Sequence, residues 1–337
     1  MKAIGYKTPG TIDRADALED IELPRPVPSG RDLLVAVRAV SVNPVDTKVR
    51  KSARPADGDW KVLGWDAVGE VVEVGDEVVG FKPGDDVFYA GSIARPGSNS
   101  EFHLVDERIV GMKPASLSDG EAAALPLTAL TAWEMLFDRI DVAKPIPGAA
   151  NAILIVGGAG GVGSIAIQLA RALTDLTVIA TASRPETEAW VRELGAHHVI
   201  KHSRPLAEQV AALGIGAPAF VFSTTETARH LAEIVELIAP QGRFGLIDDP
   251  AALDVTPFKR KTVSIHWELM FTRSIFQTTD MGEQGRILNQ VAQFVDEGRI
   301  RTTATSTLTP INAANLRQAH ALLESGKARG KVVLEGF

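Results

Sequence analysis

The sequence contains no cysteine and no dense cluster of positive charge. The absence of cysteine excludes disulfide bonds, thiolate nucleophiles, iron–sulfur clusters and every zinc site with a cysteine ligand. Lys and Arg number 35 against 42 Asp and Glu, so the net charge is −7, without the basic patch typical of nucleic-acid or lipid-surface binding. With 23% charged and 45% hydrophobic residues, the composition is typical of a soluble globular protein.

An apolar targeting or anchoring segment is also missing. The first ten residues contain no apolar core of a secretory signal, so we expect a cytoplasmic protein. Residues 149–170 are uncharged and have the length and the Gly157-x-x-x-Gly161 spacing of packed transmembrane helices. However, this stretch contains five glycines, each of which costs a helix interior about 1 kcal/mol relative to alanine. A strand, a glycine turn and a helix explain the same residues better.

The pattern of apolar residues predicts two kinds of domain in the 337 residues. In the first third, short strand-like runs lie at residues 33–40, 67–74, 86–89 and 100–105. From about residue 125, strand-like runs (152–156, 177–182, 198–201, 219–223, 243–247, 263–267) alternate with helix-like runs (162–173, 186–194, 206–213, 227–238, 282–297). This alternation indicates an α/β domain with a mainly parallel, doubly wound sheet. The last residues return to short strands around one helix at 313–323.

A glycine-rich turn carries the strongest functional motif. The residues Gly158, Gly160 and Gly163 fit the pattern G-x-G-x-x-G, with Gly161 and Val162 between them. An apolar strand leads in and a helix-period segment leads out, which is the setting of a dinucleotide-binding turn. The glycines permit the tight turn, the approach of a pyrophosphate and close packing of helix on strand, and the helix N-terminus faces the phosphates. A glycine loop without a ligand is the alternative.

The residues after the second strand of this domain favour NADP over NAD. An acidic residue there would bind both ribose hydroxyls of NAD, but the sequence has Ser183 and Arg184, whose hydroxyl and guanidinium suit a phosphate. Glu186 competes as the acidic residue, yet Pro185 is expected at the first position of the next helix, which places Glu186 in its first turn. A solvated Arg184 without a ligand is the alternative.

Other candidates follow from the ends of strands. Ser223 and Thr224 follow the fourth strand of this domain and Ile247 follows the fifth, at the edge where doubly wound sheets bind ligands. His198 and His202 are four residues apart in and just after a strand, where they lack a third metal ligand. We therefore expect no metal site from the histidines.

The chain resembles the medium-chain dehydrogenase/reductase superfamily, and within it the zinc-free quinone oxidoreductase branch, including the zinc-type alcohol dehydrogenase-like proteins. The resemblance spans nearly the whole chain and is carried, besides the glycine turn, by Asn43-Pro44-Val45-Asp46, Gly64-Trp65-Asp66, Pro126-Leu127-Thr128-Ala129-Leu130-Thr131-Ala132-Trp133, Leu194-Gly195-Ala196 and Gly330-Lys331-Val332-Val333-Leu334. It implies a GroES-like β-rich catalytic domain at residues 1–124, a Rossmann NADP-binding domain at 125–300 and a segment, 301–337, that returns to the first domain. It further implies a substrate cleft between the domains and a homodimer formed through an edge strand of the Rossmann sheet.

The departures from the family pattern concern zinc. Asn43, Trp65 and Leu127 stand where zinc-dependent relatives have Cys, His and Cys. We therefore expect no zinc, and without it an alcohol oxygen is not polarised by a Lewis acid.

The resemblance also implies roles for residues near the nicotinamide. Asn43 is a candidate donor to the reacting oxygen, and Lys48 is expected to contact either the cofactor ribose or the substrate oxygen. Thr131 is expected to open a helix beside the nicotinamide. The alternatives are an Asn43 that ends a strand, a solvated Lys48 and a Thr131 that only caps its helix.

Further family-based candidates are Trp65, Trp267 and Phe271 in the substrate pocket and Lys331 at the cofactor. Trp65 in the core is equally compatible with the sequence, and Asp46 is interpreted as structural. Together these features predict a zinc-independent, NADPH-dependent reductase that transfers a hydride to a quinone or an α,β-unsaturated carbonyl. The alternatives are an alcohol dehydrogenase with an unrecognised metal and a non-catalytic NADPH-binding sensor.

Overall fold

The computed structural model describes residues 1–56 and 58–337. Its strands are β1 Lys2–Tyr6, β2 Glu19–Glu22, β3 Asp32–Val42, β4 Lys61–Val62, β5 Ala67–Val74, β6 Asp86–Tyr89, β7 Phe102–Asp106, β8 Val110–Met112, β9 Ala150–Val156, β10 Thr177–Thr181, β11 His198–Ile200, β12 Pro218–Ser223, β13 Arg243–Leu246, β14 Ser264–Trp267, β15 Ala304–Leu308 and β16 Lys331–Glu335. Its α-helices are α1 Pro44–Ser52, α2 Asp119–Ala123, α3 Pro126–Trp133, α4 Gly161–Leu173, α5 Pro185–Glu193, α6 Leu206–Ala212, α7 Thr227–Leu237, α8 Thr272–Phe276, α9 Glu283–Asp296 and α10 Ala313–Glu324. A π-helical segment, Glu134–Arg139, follows α3.

The chain divides into two compact units. The first comprises Met1–Leu130 and Phe271–Phe337, and the second comprises Thr131–Met270. These limits differ from the domain limits expected from the sequence at residue 300, because α9 packs with the first unit: Met112 N–H in β8 donates to Asn289 Oδ1 in α9 at 2.9 Å. The compact units are defined by contacts within the fold, so the domain limits at residues 124 and 300 remain predictions.

The first unit is built from two sheets. A three-stranded sheet has the order β2-β1-β4, and a larger sheet has the order β15-β16-β3-β5-β6-β8, with β7 also paired to β3. Strand β16 pairs antiparallel with β3, with Val332 opposite Val42. The C-terminal strand thus completes a sheet that begins at residue 32.

Helix α1 is the main element that the sequence did not predict in this unit. It begins at Pro44, a residue favoured in the first helical position, and the Asp46 carboxylate accepts the N–H of the preceding Asn43 at 2.7 Å. Its buried residues are Asp46, Thr47 and Arg50. Because all three are polar, the helix shows no apolar period from which it could be recognised.

The second unit is a parallel sheet covered by helices. Its six strands have the order β11-β10-β9-β12-β13-β14, and every neighbouring pair is parallel. The central strands are apolar because both faces are covered; Leu154, Val221 and Phe244 are fully buried. The strand order reverses between β9 and β12, and in such sheets ligands bind at the carboxyl ends of the strands beside this reversal.

The structure bears on two points about helices: the position of Thr131 and the presence of a membrane-spanning helix. Thr131 does not open a helix: α3 begins at Pro126, and Thr131 lies near its end. The reason is that Pro126 is itself suited to the first helical position. Among the described residues, no helix combines the length and apolar character needed to cross a bilayer.

Candidate functional site

The glycine turn joins β9 to α4 in a conformation that requires glycine at two positions. Gly157 has a φ of +81°, and a Cβ on it would lie 2.4 Å from Thr224 Oγ1. A Cβ on Gly163, in the first turn of α4, would lie 2.3 Å from the carbonyl oxygen of Gly157. A side chain at either position would therefore clash with Thr224, which follows β12, or with the backbone of Gly157. The helix therefore begins directly against the end of the strand.

The N-terminus of α4 offers donors for an anion. Gly160 is the N-cap residue, and Gly161 and Val162 are the first helical residues, both half-exposed. The first N–H groups of a helix have no partner within it and carry the positive end of its dipole. Gly158 lies against β10, where a Cβ would be 2.9 Å from the Cβ of Ala180. This turn is suited to hold the diphosphate of a dinucleotide.

The predicted residues at the ends of β12 and β13 lie beside this turn. Thr224 donates its hydroxyl hydrogen bond to the carbonyl oxygen of Val156 at 2.8 Å, so it fixes the end of β9. Ser223 shares a hydrogen bond of 2.7 Å with Thr227. The N–H of Ile247 donates to the carbonyl oxygen of Ser223 at 3.3 Å. The structure thus brings Ser223, Thr224 and Ile247 together with the glycine turn.

Ser183 and Arg184 follow β10, next to the same turn. Arg184 is the N-cap residue of α5, Pro185 is the first helical residue and Glu186 lies in the first turn, as the sequence predicted. Arg184 forms an ion pair with Glu186 at 3.1 Å, and both side chains are over a third exposed. Exposed ion pairs contribute about 0–1 kcal/mol, so this one holds Arg184 weakly.

A second group of predicted residues forms a buried polar cluster in the first unit. Lys331 Nζ donates to Asn43 Oδ1, to Asp66 Oδ2 at 2.9 Å and to the carbonyl oxygen of Val42 at 2.9 Å. Asn43 Nδ2 donates to the same Asp66 oxygen at 2.7 Å. Asn43, Asp66 and Lys331 are at most 3% exposed. We call these three residues the Lys331 cluster.

The charges of the Lys331 cluster follow from its donors. Burial raises the pKa of Asp66, and the Lys331 ammonium, the Leu127 N–H and the Asn43 amide oppose that effect. Because the Asp66 carboxyl accepts its hydrogen bonds from N–H donors, Asp66 is the carboxylate that neutralises Lys331. Asp46 accepts from the N–H groups of Asn43 and Gly64 at 2.7 and 3.1 Å, and burial raises its pKa to about 7. Its role in holding backbone agrees with the structural interpretation.

The remaining predicted residues do not form one cluster. Trp65 is buried, donates its indole N–H to the carbonyl oxygen of Ser92 at 3.2 Å and packs edge-on against Phe271, with centroids 6.2 Å apart. Lys48 is exposed on α1. In the second unit, Thr131 is buried, whereas Trp267 is 53% exposed at the end of β14. The structure thus pairs Trp65 with Phe271 and Asn43 with Lys331.

Sequence reasoning missed a buried pair of carboxyls in the second unit. Glu134 begins the π-helical segment, Glu268 follows β14, and both side chains are fully buried. Burial raises the pKa of Glu268 to about 8, and the Glu134 carboxyl adds to the shift by its charge and a hydrogen bond. Arg139 pairs with Glu268 at 2.7 Å. With one cation for two acids, the pair retains a proton at neutral pH.

The residues at the family's zinc position do not fit a zinc ion. The oxygen of Asn43 accepts from the Lys331 ammonium and its nitrogen donates to Asp66, so a fixed cation already occupies the polar side. The Trp65 indole nitrogen is a donor only, and Leu127 has an apolar side chain. Within residues 1–56 and 58–337, no group of three or more His, Cys, Asp or Glu could hold a metal.

Comparisons with known families find two matching family models. The model of the alcohol dehydrogenase GroES-like domain matches residues 29–124, and the model described as zinc-binding dehydrogenase matches residues 194–334. With the parallel sheet described above, these matches confirm the predicted α/β fold class, a doubly wound domain combined with a GroES-like β-rich domain.

Full-length relatives agree with the two matches. A zinc-type alcohol dehydrogenase-like protein of Staphylococcus epidermidis is 38% identical over 336 residues, 99% of each chain. A crystal structure from Rhizobium etli CFN 42, provisionally described as a zinc-dependent alcohol dehydrogenase protein, is 71% identical with a TM-score of 0.99 and covers 100% of this chain and 98% of that one. The quinone oxidoreductase of Coxiella burnetii is 26% identical with a TM-score of 0.81 and covers 100% of this chain and 99% of that one. The chain therefore belongs to the medium-chain dehydrogenase/reductase superfamily of oxidoreductases, in the group of zinc-type alcohol dehydrogenase-like proteins.

Proposed function

We propose that the chain is a zinc-independent, NADPH-dependent reductase whose substrates are quinones or α,β-unsaturated carbonyl compounds. The observation that carries this proposal is the glycine turn with Ser183 and Arg184 beside it, because a hydroxyl and a guanidinium suit the 2′-phosphate that distinguishes NADPH from NADH. The similarity to a quinone oxidoreductase supports the choice of acceptor. The misfit of Asn43, Trp65 and Leu127 to zinc supports a mechanism without a metal.

In this mechanism the protein provides hydrogen-bond donors, and the cofactor provides the hydride. The cofactor supplies the hydride when it is bound, and the protein must offer a donor to the oxygen of the acceptor, where negative charge develops. Asn43 is fully buried and both ends of its amide are engaged, which favours its structural role. We therefore propose Lys48, exposed on α1, and the Thr131 hydroxyl as the groups that contact substrate or nicotinamide, with water as the source of the proton.

The proposal is tested by following NADPH absorbance with a simple quinone and with an unsaturated ketone, each with and without a chelator. We expect oxidation of NADPH with at least one acceptor and an unchanged rate in the chelator. Alcohol oxidation that the chelator abolishes would instead identify a metal-dependent alcohol dehydrogenase. Tight NADPH binding without reduction of any acceptor would identify a sensor.

Replacing Arg184 with alanine tests the assigned cofactor preference. We expect NADPH affinity to fall about tenfold or more, since a charge-assisted hydrogen bond is worth about 1.5–3 kcal/mol, and NADH affinity to change little. Glu186→Gln is the matched control: it removes only the partner of Arg184 and should leave NADPH binding intact or slightly stronger. An equal loss for both nucleotides in Arg184→Ala would contradict the role of Arg184.

We also propose a homodimer in the cytoplasm, with a small molecule rather than nucleic acid or a membrane as its partner. Strand β14 lies at the edge of the six-stranded sheet, and Leu269, which follows it, is 54% exposed. An edge strand flanked by exposed apolar residues is suited to pair with a second copy.

A further inference from the structure

Two residues that follow neighbouring strands meet at the carboxyl edge of the second unit. Strands β10 and β11 are parallel neighbours, with Thr181 opposite Ile200. Ser183 follows β10, His202 follows β11, and Ser183 Oγ lies 2.9 Å from His202 Nε2. Both residues are half-buried. A titratable imidazole thus contacts the hydroxyl that the proposed function assigns to the phosphate of NADPH.

The charged groups around His202 are predominantly cationic. Burial lowers its pKa, and His230, Arg229 and Arg184 lower it further. Arg184 comes from the start of α5, whereas Arg229 and His230 come from the first turns of α7. His202 is therefore neutral at pH 7 in the free protein.

Two of the acidic groups nearby are already paired with cations other than His202. Glu186 pairs with Arg184 at 3.1 Å, and Glu188 pairs with Lys201 at 3.2 Å. Glu226 and Glu233 act on His230, whose pKa burial nevertheless lowers. The charged groups that act on His202 include the guanidinium groups of Arg184 and Arg229, and a phosphate is the anion that guanidinium groups favour.

We infer that His202 takes up a proton when NADPH binds and that it thereby selects NADPH over NADH. This inference rests on the proposed function. A phosphate dianion near His202 favours the imidazolium, which then donates from Nε2 to Ser183 Oγ. The Ser183 hydroxyl hydrogen is thereby directed to a phosphate oxygen. The proton comes from solvent, and no bond of the nucleotide is broken. NADH has no 2′-phosphate and does not trigger the change.

The preference for NADPH consequently depends on pH. Linkage requires that NADPH affinity fall as pH rises from the pKa of His202 in the free protein to its higher pKa in the complex, by at most about tenfold per pH unit for one proton, and level off above that second pKa. Below about pH 6 the phosphate itself gains a proton, so the informative range lies above pH 7. The affinity for NADH is expected to be flat in this range.

Calorimetry in two buffers of different ionisation enthalpy measures the proton directly. The full-length protein is titrated with NADPH and with NADH at pH 7.5. We expect NADPH to bind with uptake of a substantial fraction of one proton and NADH to bind with none. His202→Asn should abolish the uptake and lower NADPH affinity about three- to tenfold. His198→Asn, which changes a half-buried histidine at the start of β11, the strand that His202 follows, is the matched control and should behave like the unaltered protein.

The outcomes separate this inference from the function on which it rests. Equal proton uptake in the unaltered protein and in His202→Asn, or no uptake with NADPH at all, would overturn the role of His202 while leaving NADPH as the cofactor. Binding of NADH alone, or of neither nucleotide, would overturn both. The comparison of NADPH with NADH in the unaltered protein needs no variant and remains decisive if His202→Asn does not fold.

Discussion

Replacing Lys331 with methionine should lower the free energy of unfolding by about 3–5 kcal/mol, which is the usual cost of removing one partner from a buried ion pair. Methionine has nearly the length of lysine, so the loss is electrostatic rather than one of packing. The Asp66 carboxylate, fully buried, would keep the Asn43 amide and the Leu127 N–H as donors but would lose its cation. Urea unfolding at pH 7 measures the change.

The double variant Lys331→Met with Asp66→Asn distinguishes charge from shape. An asparagine at residue 66 can still accept the Leu127 N–H, now made at 2.7 Å, and carries no charge. Replacing both partners of a buried pair is often close to neutral, so we expect most of the lost stability to return. If the double variant is as unstable as the sum of the two single variants, the buried pair is not what makes Lys331 important.

Replacing Glu268 with glutamine should stabilise the protein at high pH, by an amount on the order of a few kcal/mol at pH 9, and should change little at pH 5. The pKa of Glu268 is raised from 4.5 to about 8 in the folded chain. Between these two values the folded chain retains a proton that the unfolded chain releases. Stability therefore falls as pH rises through this window, and a neutral amide removes the effect.

Thermal unfolding from pH 5 to pH 9 tests this expectation. Glu283→Gln is the control, because the Glu283 side chain is 42% exposed and pairs with Arg286, and the removal of such a partly solvated charge has little effect. Parallel pH profiles for the unaltered protein and Glu268→Gln would show that the buried carboxyls exchange no proton with solvent in this range.

The elements that the sequence predicted are those with a strong apolar period. In the second unit the strand at residues 152–156 and the helix at 162–173 lie within β9 and α4, because an apolar strand, a glycine turn and an amphipathic helix each have a local pattern. Helix α1 was missed because its buried face consists of Asp46, Thr47 and Arg50. A polar buried face has no apolar period.

The sequence could not reveal contacts between residues that are far apart in the chain or that lie on adjacent strands of a sheet. Asp66 and Lys331 are 265 residues apart, and they meet because β3 pairs both with β16 and with β5, the strand that follows Asp66. Ser183 and His202 are 19 residues apart and meet because β10 and β11 are neighbours in register. Spacing along one chain does not determine register across a sheet, so the motif residues were found but their partners were not.

The late position of Lys331 in the chain has a consequence for translation. At about 5–20 residues per second, a ribosome adds the 265 residues between Asp66 and Lys331 in roughly 13–53 s. During that time the nascent segment that contains Asp66 lacks the Lys331 ammonium, and β3 lacks its neighbouring strand β16. Residues 131–270, by contrast, form a contiguous unit whose last residue emerges well before Lys331. The unit synthesised first is thus the one completed last.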